Sequence, residues 1–115
     1  MAAGYLTTHV LDTAQGVPAS GMTVVLYRLT GGERQELRRL VTNSDGRTDG
    51  AILPADSFAT GDYELEFHVG AYLLAQGTEP RFLDIVPIRF RMAEDSHYHV
   101  PLLVSPFGYS TYRGS

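Results

Sequence analysis

Apolar and polar residues alternate along several short segments of this chain, which is the pattern of a strand with one buried face. Residues 61–69 show the alternation most clearly. Their apolar side chains share one face, namely Tyr63, Leu65, Phe67 and Val69. The opposite face carries Glu64, Glu66 and His68. A period of two over this length predicts a half-buried strand.

Similar segments recur between turn-forming residues. They predict strands over residues 5–12, 22–29, 35–42, 61–69, 82–92, 97–104 and 109–113, with at most a brief edge strand over residues 51–55. Residues 70–77 lack the alternation and lie between glycines, so we expect one short helix there. Pro87 has no N–H to donate to a ladder and therefore predicts an edge strand or a bulge. About eight strands in 115 residues predict an all-β sandwich of two sheets, in a single domain over residues 1–115.

Composition narrows the classes of function. The chain has no cysteine, which excludes disulfides and thiolate metal sites. Its net charge is −4 and its nine arginines are scattered, so no basic stripe indicates a nucleic-acid partner. No apolar run approaches the roughly 18 residues of a membrane span, and the start shows no signal-peptide pattern. We therefore expect no membrane partner.

Histidines stand on the outer faces of two predicted strands. Alternation places His9 on the same face of the first strand as Thr7 and Leu11. In the penultimate strand, the face expected to be core carries Val100, Leu102 and Val104. The other face carries His97, His99, Pro101 and Leu103. That face is more apolar than a solvent-exposed strand face usually is, which predicts a buried interface between subunits.

Histidine and arginine together suggest acid–base chemistry. Histidine titrates near neutral pH, and an arginine beside it could stabilise an anionic transition state. Arg47 follows Gly46 in a turn, where a loop can present its side chain. The positions of these residues in the sequence do not show that they lie close together in the fold. The simpler alternative, with surface histidines and a solvated Arg47, therefore stays open.

Other constellations are weaker. The four histidines could hold a metal ion, but no third ligand stands at a telling spacing from the His97-x-His99 pair. A serine hydrolase is not indicated, because the G-x-S-x-G motif is absent. No strand–glycine–helix unit of a phosphate-binding fingerprint surrounds the glycines.

Four stretches together resemble the transthyretin-like family. They are LTTHVLD (6–12), SDGR (44–47), GDYELEF (61–67) and YHVPLLVSPFGYSTYRGS (98–115). The likeness runs from Tyr5 to Ser115. The terminal YRGS resembles the hydrolytic branch of the family rather than the thyroid-hormone carriers that share the fold.

The resemblance implies an architecture and an assembly. Members are two-sheet sandwiches with a short helix after the fifth strand. They form a homotetramer, a dimer of dimers around a central channel. The chain's apolar tail is then expected to lie at a subunit interface and to shape the active-site cleft with its end.

The resemblance also implies an activity. It is hydrolysis of 5-hydroxyisourate to 2-oxo-4-hydroxy-4-carboxy-5-ureidoimidazoline, a step of urate degradation, with no metal and no cofactor. The alternative from the same fold is a carrier that binds a small aromatic ligand in the tetramer channel. A structural or adhesion module, expected to be monomeric, is a further alternative.

Site residues carry over from the resemblance one by one. The catalytic positions are His9, Arg47 and His99: His9 and Arg47 are expected to activate water, and His99 to protonate the leaving nitrogen. The two histidines could exchange roles. Substrate binding is expected at Tyr112, Arg113 and Ser115, with plain interface packing as the alternative for Tyr112. His68 and His97 match no catalytic position and are expected to be exposed.

The resemblance bears on location as well. A bacterial cytoplasmic protein fits the absent signal sequence. Relatives in eukaryotes are peroxisomal, although the ending RGS is not the usual peroxisomal signal.

Overall fold

Two four-stranded sheets form the protein, whose computed structural model describes residues 4–114. In chain order the elements are β1 (Tyr5–Asp12), β2 (Val17–Pro18), β3 (Thr23–Thr30), β4 (Glu33–Val41), a 3₁₀ turn (Ala55–Ser57), β5 (Gly61–His68), α1 (Val69–Ala75), β6 (Ile85–Met92), β7 (His97–Ser105) and β8 (Gly108–Thr111). The sheet orders are β2-β1-β7-β8 and β4-β3-β5-β6. The β1–β7 pair is parallel, and the other strand pairs of the described residues are antiparallel.

The core lies between the sheets and is built from alternate residues of their strands. The first sheet contributes Leu6, Val10, Tyr98, Val100, Leu102 and Val104. The second contributes Val24, Leu26, Tyr63, Leu65, Phe67, Val86 and Met92. The alternation in β5 and the core face of β7 are thus confirmed. Burial of this apolar surface is the main force that holds the two sheets together.

The predicted all-β sandwich with one short helix is confirmed, with two differences in detail. Residues 51–55 form no strand; Leu53 makes only a single bridge to Leu6 before Pro54, which has no N–H, ends the pairing. Residues 17 and 18 lie outside the predicted strands. They form the short edge strand β2, opposite Leu11 and Asp12.

The outer faces of both sheets are more covered than alternation suggests. Glu64 on β5 is only 2% exposed, because Arg34 from β4 and Arg89 from β6 reach across to its carboxylate at 2.8 and 2.9 Å. On β7, Pro101 is buried and Leu103 is half-buried, since β1 and β8 flank that strand. Pro87 lies on β6, the last strand of its sheet, as expected for an edge position.

Helix α1 packs against the first sheet through one buried hydrogen bond. The Tyr72 hydroxyl donates to Oδ2 of Asp12 at 2.8 Å. Burial, followed by this hydrogen bond and the charge of Asp12, raises the pKa of Tyr72 to about 12. Asp12 also accepts from the backbone N–H groups of Ala14 and Gln15, so its buried carboxylate is well satisfied. This contact ties the helix to the end of β1.

Candidate active site

The parallel register of β1 and β7 brings the histidines to one face. Tyr5 lies opposite His97, Thr7 opposite His99 and His9 opposite Pro101. Because residues opposite each other in neighbouring strands point to the same side of a sheet, His9, His97 and His99 share the outer face. His9 lies two positions further along the strands than Thr7, the residue opposite His99.

The loop that carries Arg47 docks on β1 beside His9. Val10 N–H donates to the carbonyl of Gly46 at 2.8 Å, and the backbones of His9 and Arg47 form an antiparallel bridge. The Nε2 atom of His9 lies 2.8 Å from the carbonyl oxygen of Asp45. A carbonyl oxygen only accepts, so this nitrogen must carry the proton and donate. Nδ1 is then the basic nitrogen of neutral His9.

The loop's own sequence fixes its shape. The Asn43 side-chain oxygen accepts from the backbone N–H groups of Asp45 and Arg47 at 2.9 and 3.2 Å. Gly46 has a φ of 75°, and a β-carbon there would run into the carbonyl oxygen of Val10. Only glycine satisfies both conditions. The N-S-D-G-R sequence therefore presents Arg47 at a defined point on the sheet.

Arg47 and His99 open onto one cleft of about 430 Å³. The residues that line it are Tyr5, Thr7, Thr8, Arg47, Thr48, Gly50, Ala51, His97 and His99. His9 is not among them and lies next to the cleft through its bridge to Arg47. Within residues 4–114, no carboxylate pairs with the Arg47 guanidinium. The cleft thus offers a cation to an acidic ligand.

The imidazole of His99 is held in a positive environment. Burial lowers its pKa below the ordinary value, and the charges of Arg47, His97 and His9 lower it further, in that order. His99 is therefore neutral at pH 7 in the free protein. Its Nδ1 atom lies 2.7 Å from the Thr7 hydroxyl oxygen.

His97 is part of this cleft, although sequence reasoning expected it to be exposed. It is half-buried, its ring stacks on Tyr5 with centroids 4.0 Å apart, and its Nε2 lies 2.7 Å from Thr7 Oγ1. The expectation was wrong because the contacts come from β1, some ninety residues earlier. The H-x-H spacing indicates that His97 lies on the same strand face as His99. The sequence does not show the register that places Thr7 opposite His99.

His68 was also expected to be exposed, and that too was wrong. It is half-buried on the second sheet, where its Nε2 lies 3.1 Å from Glu66. The four histidines therefore do not gather at one point. Among residues 4–114, no group of three or more His, Cys, Asp or Glu side chains is arranged to hold a metal ion.

The tail runs beside β7 and stays in register with it beyond β8. The Gly114 N–H donates to the His99 carbonyl at 2.7 Å. Tyr112 and Arg113 line a different cleft of about 240 Å³ between β6 and β7, so one chain does not bring them to the histidine cleft. The Arg113 guanidinium lies 4.0 Å from the centre of the Tyr98 ring. Ser115 lies outside the described residues.

A further cleft of about 450 Å³ opens on the second sheet, near Arg34, Arg89 and Arg91. All three arginines are already paired with carboxylates, at distances of 2.7 to 2.9 Å. An anionic ligand would have to displace those partners. The cleft beside Arg47 is the better candidate for acidic substrates.

Comparison with known proteins shows the family to which this chain belongs. The HIUase/Transthyretin family model matches residues 6–114. The chain belongs to the HIUase/Transthyretin family. A 5-hydroxyisourate hydrolase of Mesorhizobium japonicum is 62% identical over 115 residues, which cover 97% of this chain and 93% of that protein.

Solved structures of the HIUase/Transthyretin fold are similar as well. A crystal structure of (S)-allantoin synthase has a TM-score of 0.90 and 47% identity; the match covers 99% of this chain but only 44% of that one. Sea bream transthyretin in complex with thyroxine has a TM-score of 0.87 and 28% identity, covering 95% and 93% of the two chains. Among the described residues of this family member, no helix has both the length and the apolar character that crossing a membrane requires.

Proposed function

We propose that the protein hydrolyses 5-hydroxyisourate to 2-oxo-4-hydroxy-4-carboxy-5-ureidoimidazoline, a step of urate degradation. The observation that carries the proposal is the pair formed by Arg47 and His99 on one cleft, with His9 bridged to Arg47. The identity of 62% to a 5-hydroxyisourate hydrolase supports the same substrate. The volume of about 430 Å³ suits a small ligand.

Arg47 supplies the positive charge of the reaction. The substrate is a flat, acidic ring system, and hydrolysis places negative charge on the oxygen of the attacked carbonyl. Its guanidinium stabilises both the bound acid and this developing oxyanion. Its loop is fixed on β1 by the Val10–Gly46 hydrogen bond, so the charge is in place before the substrate arrives.

His9 takes a proton from the attacking water. Its Nε2–H donates to the Asp45 carbonyl, so Nδ1 is the nitrogen that accepts. The same carbonyl stabilises the imidazolium that forms, because it faces an N–H whose charge increases. The water oxygen then bonds to the ring carbonyl carbon.

His99 returns a proton to the ring nitrogen that leaves. It is neutral in the free protein, since burial and neighbouring cations lower its pKa. An acidic substrate brings negative charge next to the ring, which raises the pKa of His99 and favours uptake of a proton. Transfer of that proton to the nitrogen breaks the carbon–nitrogen bond and leaves a carboxylic acid.

The remaining substrate contacts are proposed to form in a homotetramer. Two strands at the edges of their sheets, β6 and β8, have no further partner within the described chain, and large apolar side chains near them are exposed, namely Phe82, Ile85, Phe107, Tyr109 and Tyr112. Pairing of copies at these edges would cover them. In that assembly Tyr112, Arg113 and Ser115 are proposed to complete the cleft. Sedimentation equilibrium tests this, because a monomer would contradict it.

The activity is tested by mixing the protein with freshly made 5-hydroxyisourate. Loss of its ultraviolet absorbance is followed against buffer and against an equal amount of heat-denatured protein. We expect a protein-dependent acceleration that is proportional to enzyme concentration and insensitive to a chelator. An unchanged decay rate would refute the proposal.

The carrier alternative has one observation in its favour, the likeness to a transthyretin that was solved with thyroxine. It predicts that the ligand binds without accelerated decay, so the same mixing experiment separates the two functions. We also propose a bacterial cytoplasmic location, since the similar hydrolase cited above is from Mesorhizobium japonicum. Fractionation of cells that express the protein tests the location.

A further inference from the structure

The hydroxyl group of Thr7 bridges two imidazole rings in the wall of the cleft. Its oxygen lies 2.7 Å from Nε2 of His97 and 2.7 Å from Nδ1 of His99. A hydroxyl carries one proton and can donate to only one of the rings. The other ring must donate to the hydroxyl oxygen. The three groups therefore form a hydrogen-bond chain with a defined order of donors and acceptors.

Two contacts leave only one nitrogen of His99 for the cleft. Thr7 occupies Nδ1. Gly114 lies against the opposite edge of the ring, where a β-carbon would come within 2.7 Å of Cδ2. The ring is confined at Nδ1 and at Cδ2, so Nε2 is the nitrogen that can exchange a proton with a bound molecule.

His97 is itself held in place at the other end of this hydrogen-bond chain. Its ring lies on Tyr5 at an interplanar angle of 5°, and Tyr5 is its partner in the strand register. Its backbone carbonyl accepts from the Arg113 guanidinium at 3.2 Å. A stacked ring has little freedom to turn, so His97 offers Nε2 to Thr7 in a defined direction.

We propose that Thr7 and His97 are positioning residues for His99. Nδ1–H of His99 donates to Thr7, and the Thr7 hydroxyl donates to Nε2 of His97. This direction keeps Nε2 of His99 free to take up a proton and to release it. Thr7 accepts the same hydrogen bond before and after that transfer, so nothing in the chain has to rearrange. The inference rests on the proposed hydrolysis for its consequence in rate.

The first test removes and restores the hydroxyl. Thr7→Val keeps the branched shape of the side chain, and Thr7→Ser keeps the hydroxyl. We expect kcat to fall about tenfold in Thr7→Val, the usual worth of one hydrogen bond, with KM unchanged and with recovery in Thr7→Ser. Thr13→Val is the matched control, since Thr13 donates to the Val104 carbonyl at the other end of the same strand pair. Equal rates in Thr7→Val and the wild type would overturn the proposal.

The second test changes His97, at the other end of the hydrogen-bond chain. His97→Phe keeps an aromatic ring on Tyr5 and removes the acceptor, whereas His97→Gln offers an amide oxygen near the position of Nε2. We expect His97→Phe to resemble Thr7→Val and His97→Gln to retain most of kcat. Full kcat in His97→Phe together with a loss of kcat in His97→Gln would show that ring packing alone matters, and would overturn the proposed hydrogen-bond chain.

The decisive readout does not depend on turnover. The ¹⁵N chemical shifts of the His99 ring, assigned by their loss in His99→Asn, report which nitrogen carries the proton. We expect the Nδ1–H form in the wild type and a shift toward Nε2–H in Thr7→Val. Full turnover by a wild-type protein whose His99 carries its proton on Nε2 would overturn the proposed hydrogen-bond chain and leave the proposed function standing. Absent turnover with an Nδ1–H wild type would overturn the proposed function, and with it the role of Thr7 in catalysis.

Discussion

Gly114 and His99 touch so closely that a β-carbon at position 114 would have to displace the His99 ring. A β-carbon built on Gly114 would lie 2.7 Å from Cδ2 of the His99 ring and 3.3 Å from Cγ. The backbones are joined as well, by the hydrogen bond from the Gly114 N–H to the His99 carbonyl. The end of the chain therefore sets the position of an imidazole on a different strand.

Gly114→Ala is expected to impair turnover more than folding. The added methyl group must push the His99 ring aside, and a displacement near 1 Å at a reacting group can reduce the rate by about a hundredfold. We expect kcat to fall by at least about tenfold while the melting temperature changes little. Stopped-flow kinetics and thermal unfolding measure the two quantities.

Gly108→Ala is the matched control for that change. Gly108 begins β8, has no atom within 4 Å of the position that a β-carbon would take, and has no positive φ. Its kcat should equal that of the wild type. Equal kinetics for the two alanine variants would contradict the contact between Gly114 and His99.

Removal of either proposed catalytic imidazole should leave an intact but slow protein. General acid–base help is worth about 10² to 10⁴ in rate, so His9→Gln and His99→Asn are each expected to lose that much in kcat. His68→Gln is the control, because His68 lies on the second sheet beside Glu66. Circular dichroism checks the fold of all three. Full activity in His9→Gln and His99→Asn would contradict both assignments.

The pKa of His99 should depend on the charge of Arg47. Burial and then Arg47 lower this pKa, so the wild-type imidazole should titrate below the ordinary value of about 6.5. Arg47→Gln removes a repulsion that disfavours the imidazolium, so the His99 pKa should rise. Proton NMR titration measures it.

Arg81→Gln is the control for the titration, since Arg81 is exposed and paired with Glu79. It should leave the His99 pKa unchanged. A His99 pKa that stays constant or falls in Arg47→Gln would show that the guanidinium does not face the imidazole.

Tyr72→Phe should destabilise the fold without slowing the reaction. It removes a 2.8 Å hydrogen bond to the buried carboxylate of Asp12. Loss of a partner by a buried charged group costs about 1–3 kcal/mol in the free energy of unfolding. Urea denaturation at fixed protein concentration measures it, with Tyr27→Phe as the control because its hydrogen bond to Glu66 is 3.4 Å long. Equal midpoints for both variants would contradict the role of the Asp12 contact.

The sequence alone predicts the strands and the faces of the histidines, but not where those faces meet. Alternation places His9 and His99 on outer faces correctly. Their proximity comes from the parallel pairing of β1 with β7, which joins residues about ninety positions apart. No local pattern encodes that register.

The same limit explains two of the residues whose burial was misjudged. Glu64 has the alternation of a solvated residue, and it is buried only because two arginines from neighbouring strands cover it. His97 looks like a surface residue until Tyr5 and Thr7 are placed beside it. By contrast, the turn that presents Arg47 was predictable, since Asn43 and Gly46 fix its shape within the loop itself.

The most direct test of the account is a double-mutant cycle on kcat/KM for 5-hydroxyisourate with Arg47→Gln, His99→Asn and the combined variant. If both side chains act on one substrate in one cleft, the double variant should lose little more than the worse single variant, because residues that act as a unit are strongly non-additive. Losses that multiply, or single variants with wild-type kcat/KM, would contradict a shared site.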